Sequence, residues 1–111
     1  MAVYVIAQLR FTDEARYRAY QKAFPAAFAG SGGRLLAADE APITLEGQWI
    51  GSKVVLMEFP DSERAEAFLR GPAYQRISED RRAGAETVAL LVRGVDLPAT
   101  QDATDVPSSS E

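Results

Sequence analysis

Lys53-Val54-Val55-Leu56-Met57-Glu58-Phe59-Pro60-Asp61 reads as a strand that runs straight into a helix start. Alternation puts Val55, Met57 and Phe59 on one side and Val54, Leu56 and Glu58 on the other. Asp61 is a good helix N-cap, and Pro60 stops the helix from growing backwards. Glu58 stands out because a carboxylate among apolar strand residues is costly unless it is paired, hydrated or used.

Upstream of this stretch, residues 34–38 read as a short strand and Asp39-Glu40-Ala41-Pro42 as a turn. Residues 43–47 form a further extended piece, and residues 48–52 a loop with the only tryptophan, Trp49. Downstream, Ala65, Phe68 and Leu69 form the buried stripe of a helix that Gly71-Pro72 breaks. Pro72 can open another helical segment with Tyr74 and Ile77 inward. The run Glu79-Asp80-Arg81-Arg82 reads as a solvated face. Residues 87–93 are a last strand, apolar on both faces and therefore expected to be covered on both.

At the N-terminus, residues 3–11 alternate a wholly apolar set (Val3, Val5, Ala7, Leu9, Phe11) with Tyr4, Ile6, Gln8 and Arg10. The second set turns from apolar to polar along the strand. That suits either a partly wet cavity or interface, or simple solvent exposure of Gln8 and Arg10. Thr12-Asp13 caps a helix whose Tyr17, Tyr20, Phe24 and Phe28 recur at three- and four-residue steps, an aromatic face read as core rather than ligand box. Pro25 predicts a kink or restart in that helix. Gly30-Ser31-Gly32-Gly33 ends it, with glycine available for a left-handed cap.

The order strand, helix, strand, strand, helix, strand is the split βαβ pattern. It predicts an α+β, ferredoxin-like βαββαβ sandwich: a four-stranded antiparallel sheet with helices on one face. The other face would carry Ile6, Val54, Leu56 and alternate residues of the last strand. That is more apolar surface than a monomer normally leaves in water. Two such sheets packed face to face in a two-fold homodimer would cover it, with Glu58 and Gln8 pointing between them.

Composition bounds the chemistry. The chain has 111 residues, one domain by size, with neither Cys nor His. Disulfides, thiol nucleophiles, His-held zinc or haem and His acid–base catalysis are thereby excluded. No carboxylate spacing suggests an oxygen-ligand metal site, so no cofactor is expected. The net charge of −4 argues against a nucleic-acid partner. No apolar run is long enough for a membrane span, and the N-terminus lacks the basic start of an export signal, so the expected location is the cytoplasm. Residues 1–97 read as the folded domain and 98–111 as a disordered tail.

Tyr4-Val5-Ile6-Ala7, Asp13 with Tyr17 and Tyr20, Gly32-Gly33-Arg34, Leu45-Glu46-Gly47-Gln48-Trp49, Glu58-Phe59-Pro60-Asp61 and Pro72-Ala73-Tyr74-Gln75 occur in this order. Together they resemble the DUF1330 family across residues 3–95. The resemblance implies the dimeric α+β-barrel superfamily. That superfamily includes small cofactor-independent monooxygenases, muconolactone isomerase-like proteins and haem-using relatives. Asp61 stands where the family pattern suggests Ser, and Glu14 where it often has Pro; both are tolerable. The haem relatives depend on a His that this chain lacks.

Seven residues are candidates for chemistry. Glu58 is either a general base, with a pKa raised by an apolar interior, or half of an ion pair. Arg34 can clamp a carboxylate or enolate oxygen, or pair with Glu58 or Glu46. Gln8 can steady developing negative charge, and Arg10 lies on the same strand face. Tyr4 offers a phenol or half-buried structure. Trp49 suits the dimer interface or a pocket mouth, and Tyr74 is a further ligand-contact candidate. Gly30–Gly33 follows a helix and precedes a strand, the reverse of a phosphate-binding loop. The sequence thus suggests an isomerase- or monooxygenase-like enzyme acting on a small apolar or aromatic enolisable molecule between two sheets. The alternative is a non-catalytic ligand-binding or stress-related dimer.

The tail makes one expectation directly testable. Residues 98–111 contain two prolines, a serine run and three acids but no base and no aromatic. Deleting them should leave the melting temperature within a few degrees and dimerisation intact. A larger drop in a thermal melt would mean that the tail packs.

Overall fold

The computed structural model describes residues 1–95. The segment read as a disordered tail therefore lies outside the described residues. Four strands and three helices follow in the order β1 (Val3–Phe11), α1 (Glu14–Phe28), β2 (Arg34–Asp39), β3 (Lys53–Phe59), α2 (Ser62–Arg70), α3 (Pro72–Gly84) and β4 (Ala85–Arg93). All strand pairs are antiparallel, in the spatial order β2-β3-β1-β4. This is the expected ferredoxin-like α+β sandwich, with the second helical stretch divided in two at Gly71-Pro72.

Local signals explain the element starts. The Asp13 and Asp61 carboxylates accept from the backbone N–H groups of Arg16 and Arg64, at 3.3 and 2.8 Å. Each satisfies a donor that the helix itself cannot. Pro72 occupies the first turn of α3, where its missing N–H costs nothing. Pro25 does not restart α1, which runs unbroken to Phe28. It falls near the C-terminal end, where only the Gln21 carbonyl loses its helical donor. The helix ends at Ala29, and Gly30 follows in the left-handed region at φ 77°. Residues 43–47 form no strand; they belong to a long irregular connection between β2 and β3.

Period-two alternation sorts the sheet as expected. Val3, Val5, Leu9, Met57 and Phe59 are buried against the helices, joined by Ala65 of α2 and Tyr17, Tyr20 and Tyr74 of α1 and α3. Gly84 closes the helix layer. Its carbonyl accepts from the Thr12 and Asp13 N–H groups at 2.8 and 3.1 Å. A Cβ there would lie 2.4 Å from the Tyr17 backbone nitrogen, so only glycine permits this approach. On the opposite face Ile6, Val54 and Leu56 are half-buried, while Val88 and Leu90 are 58% and 56% exposed. No helix among the described residues is long and apolar enough to cross a membrane.

Candidate functional site

Strand register lays the helix-facing side of the sheet out in rungs. At one end Leu9 lies between Lys53 on β3 and Thr87 on β4. The next inward rung is Ala38, Val55, Ala7 and Ala89, reading across all four strands. The third holds Leu35, Met57, Val5 and Leu91. Three of the four middle positions are alanine, so this rung cannot reach the helices above it. A cavity of about 460 Å3 lies over it. Its size falls within the range of roughly 300–1,000 Å3 usual for small-molecule sites.

The roof is aromatic. Tyr17, Tyr20 and Phe24 project from α1 and Tyr74 from α3, and the Tyr20 and Tyr74 hydroxyls are hydrogen-bonded at 3.0 Å. Burial pushes the Tyr17 phenol up to about 12, with the Glu40 charge adding to the effect. Burial raises Tyr20 as well, reinforced by Tyr74.

Among the described residues two cationic side chains line the cavity, and no carboxylate does. Lys53 is only 5% exposed. Its ammonium stands 5.1 Å from the centre of the Tyr17 ring and 3.8 Å from Glu40. Burial lowers its pKa, and the Glu40 charge opposes that shift. Glu40 is itself held below the ordinary carboxylate range, chiefly by hydrogen bonds from Arg18 at 2.5 and 2.9 Å. Arg81 reaches inward so that its guanidinium lies about 6 Å from the Tyr20 and Tyr74 rings. Its Nε–H and the Thr87 hydroxyl are buried and make no hydrogen bond among the described residues. A buried polar group left so costs about 1–3 kcal/mol.

The residues singled out in the sequence divide between two faces. Glu58 and Arg34 meet on the open face, with Nη2 of Arg34 2.6 Å from Oε1 of Glu58 and Nε donating to the same oxygen at 3.2 Å. The carboxylate is thus ion-paired at the rim of the sheet. Tyr4 stands opposite Glu58 across the β1–β3 pairing, also on the open face. Gln8 shares that face but pairs with Val54, four residues along β1 from Tyr4. It is therefore about 13 Å from Glu58 along the strand and not beside it. Arg10 is ion-paired with Glu86 at the far end. Trp49 lies on the β2–β3 connection with its ring over Gly51, where a Cβ would come within 2.4 Å of it. Tyr74 alone among the seven lines the cavity.

Neither charged cavity residue is a site candidate on the sequence reading, although both carry a signal. Lys53 is two residues before Val55, so alternation already placed it on the helix side. Arg81 is seven residues after Tyr74 and four after Ile77, which continues the inward stripe of α3. It is not part of a solvated face with Glu79 and Arg82. The Tyr17, Tyr20 and Phe24 face, expected to be core, is both core and cavity roof. Among the described residues no group of three Asp or Glu side chains is placed to hold a metal ion.

Strand order and helix placement define a ferredoxin-like α+β domain. The chain belongs to DUF1330, a domain of unknown function, whose family profile matches residues 2–95. No curated protein sequence matches it. Among solved structures it is similar to a protein of unknown function from Rhodopseudomonas palustris, at 16% identity over 86% of this chain and 84% of that one, with a TM-score of 0.73. It is also similar to SnoaB, a cofactor-independent oxygenase from Streptomyces nogalater, at 15% identity, 88% and 97% coverage and a TM-score of 0.64. A dimeric ferredoxin-like protein of unknown function from Bacteroides fragilis shares 13% identity over 84% and 96% of the two chains, with a TM-score of 0.64. At these identities the likeness establishes the fold.

The tyrosine environment has a pH consequence. Tyr17 and Tyr20 keep protons in the folded chain that the unfolded chain releases near the ordinary value of 10. Their contribution to stability is complete below that pH and is lost as pH rises from about 10 towards 12. Near-ultraviolet titration should show a tyrosinate component that appears only as circular dichroism reports unfolding. Its appearance in the folded state would contradict the buried roof.

Proposed function

We propose that this protein is a small homodimeric enzyme that needs no cofactor and acts on a small apolar or aromatic enolisable molecule. The reaction takes place in the cavity of each subunit, between sheet and helices, and not between two sheets. The observation that carries this reading is the cavity itself: about 460 Å3, walled mainly by aromatic and aliphatic groups, with Lys53 and Arg81 as the only charged lining residues among those described. The similarity to a cofactor-independent oxygenase supports the same reading.

Burial lowers the Lys53 pKa and so raises the fraction of neutral amine available at neutral pH. The amine takes a proton from the carbon next to a bound carbonyl, and the C–H electron pair becomes the enolate. The ammonium so formed stays beside the enolate as its counter-ion. Reprotonation at another carbon would be isomerisation; addition of dioxygen to the enolate carbon, with the substrate as the reductant, would give a hydroperoxide, and breaking its O–O bond with loss of water and of the remaining hydrogen on that carbon would leave one oxygen as a new carbonyl, a monooxygenation. Glu58 and Arg34 form the competing assignment, base and oxyanion clamp on the open face, which Tyr4 and Gln8 share.

Hydrogen exchange of 2-tetralone in heavy water, followed by proton NMR, separates these assignments. The unmutated protein should accelerate loss of the α-proton signals, and Lys53→Met should abolish the acceleration while Glu58→Gln retains it. The reverse pattern would assign the base to Glu58. Binding without exchange in the unmutated protein would favour the non-catalytic ligand-binding dimer.

The dimer joins the open sheet faces. Val88, Leu90 and Val92, all exposed in the single chain, line up with half-buried Ile6, Val54 and Leu56. Burying such surface contributes about 25 cal/mol per Å2 before the costs of association. Leu90→Lys should shift the protein to monomer mass in light scattering at micromolar concentration, or unfold it. Lys22→Glu, on the outer side of α1, should leave the mass unchanged. A monomer mass for the unmutated protein would refute this interface.

A further inference from the structure

We infer that the cavity takes an amphiphilic anion in one orientation: an aromatic or other flat apolar body over the alanine rung, and a single oxyanion at the Lys53–Leu9–Thr87 end, received by Arg81 and Thr87. This specifies the ligand class for the cavity and rests on the reading of that cavity as the ligand site.

Three observations converge on it. The first is polarity by rung. Lys53 and Thr87 flank Leu9 at one end, whereas Leu35, Met57, Val5 and Leu91 make the opposite end wholly apolar. A ligand polar at one tip and apolar along its length matches that gradient in only one direction. The second is the pair of unmet groups. The Arg81 Nε–H and the Thr87 hydroxyl are buried, belong to residues that line the cavity, and have no hydrogen-bond acceptor or donor among the described residues. A guanidinium N–H can only donate, so its missing partner must be an acceptor. The hydroxyl can donate to the same kind of atom. The third is charge. Lys53 and Arg81 face the cavity, and Glu40, the carboxylate beside Lys53, is held by Arg18 and does not line it. A carboxylate, phenolate or enolate oxygen satisfies all three, because a charged acceptor strengthens each donated bond. The Tyr20 and Tyr74 hydroxyls are already bonded to one another, so the oxyanion seat does not depend on them.

Two probes of nearly equal size and shape separate head charge from body fit: 1-naphthoate and 1-naphthamide, titrated calorimetrically into the full chain at neutral pH. The naphthoate should bind at least ten-fold more tightly. Arg81→Gln should reduce this preference at least five-fold, and Thr87→Val, which keeps the side-chain shape, should reduce it about three-fold. The preference is a ratio, so a general loosening of the cavity would move both affinities and leave it unchanged. Equal binding of the two probes, or a preference that survives Arg81→Gln, would overturn the oxyanion seat while the cavity reading stands. Binding of neither probe would overturn both.

Discussion

A column of rings along α1 holds the helix layer in place. Tyr17, Tyr20, Phe24 and Phe28 follow one another with centroids 5.5, 6.0 and 4.9 Å apart. Phe68 of α2 meets Phe24 edge-on, and Tyr74 of α3 meets Tyr20 in the same way. Offset and edge-to-face contacts of this kind fix rings at a set distance from one another, because flat sandwich stacking is disfavoured by the ring quadrupoles. The three helices are therefore braced against each other as well as against the sheet. This allows the middle of the sheet to carry alanine without the roof collapsing onto it, although protein interiors otherwise close-pack.

The same arrangement separates two electrostatic problems. On the open face, Arg34–Glu58 and Arg10–Glu86 are ion pairs at opposite ends of the sheet, both with substantial solvent access. Exposed pairs of this type contribute little to stability, so they mark register and solubility more than strength. Inside, the balance is different. Lys53 leans on the Tyr17 ring and touches Glu40 at the cavity rim, while Arg18 holds Glu40 from the outside. The negative charge is thereby kept at the edge and the positive charge inside, a polarity that suits chemistry in which an oxygen gains charge.

Much of the fold was legible because it rests on local rules. Alternation in residues 3–11 and 53–59 sorted the faces correctly, and Asp13, Asp61 and Pro72 marked three helix starts through unmet backbone donors and a fixed φ. The site was less legible because charge was weighed ahead of phase. Arg81 reads as part of a solvated charged run and Lys53 draws no notice, yet their positions in the helix and strand repeats point inward. Glu58 drew attention for the converse reason: its apolar neighbours in sequence alternate to the other face and do not enclose it. The cavity itself depends on Ala38, Val55, Ala7 and Ala89 meeting across four strands. Nothing short of the register reveals that alignment.

The floor of the cavity and its charged end lie on different rungs, and this uncouples two properties. Ala7 and Ala89 sit on paired strands whose backbone positions are set by the ladder on either side. Adding a methyl group or two at either position would thin the cavity without disturbing a helix cap, an ion pair or the aromatic column. A relative of this chain could therefore drift towards thinner or thicker ligands by changes at these floor positions alone while keeping the same demand for a charged head. A change at Lys53 or Arg81 would alter that demand and leave the permitted shape nearly as it was.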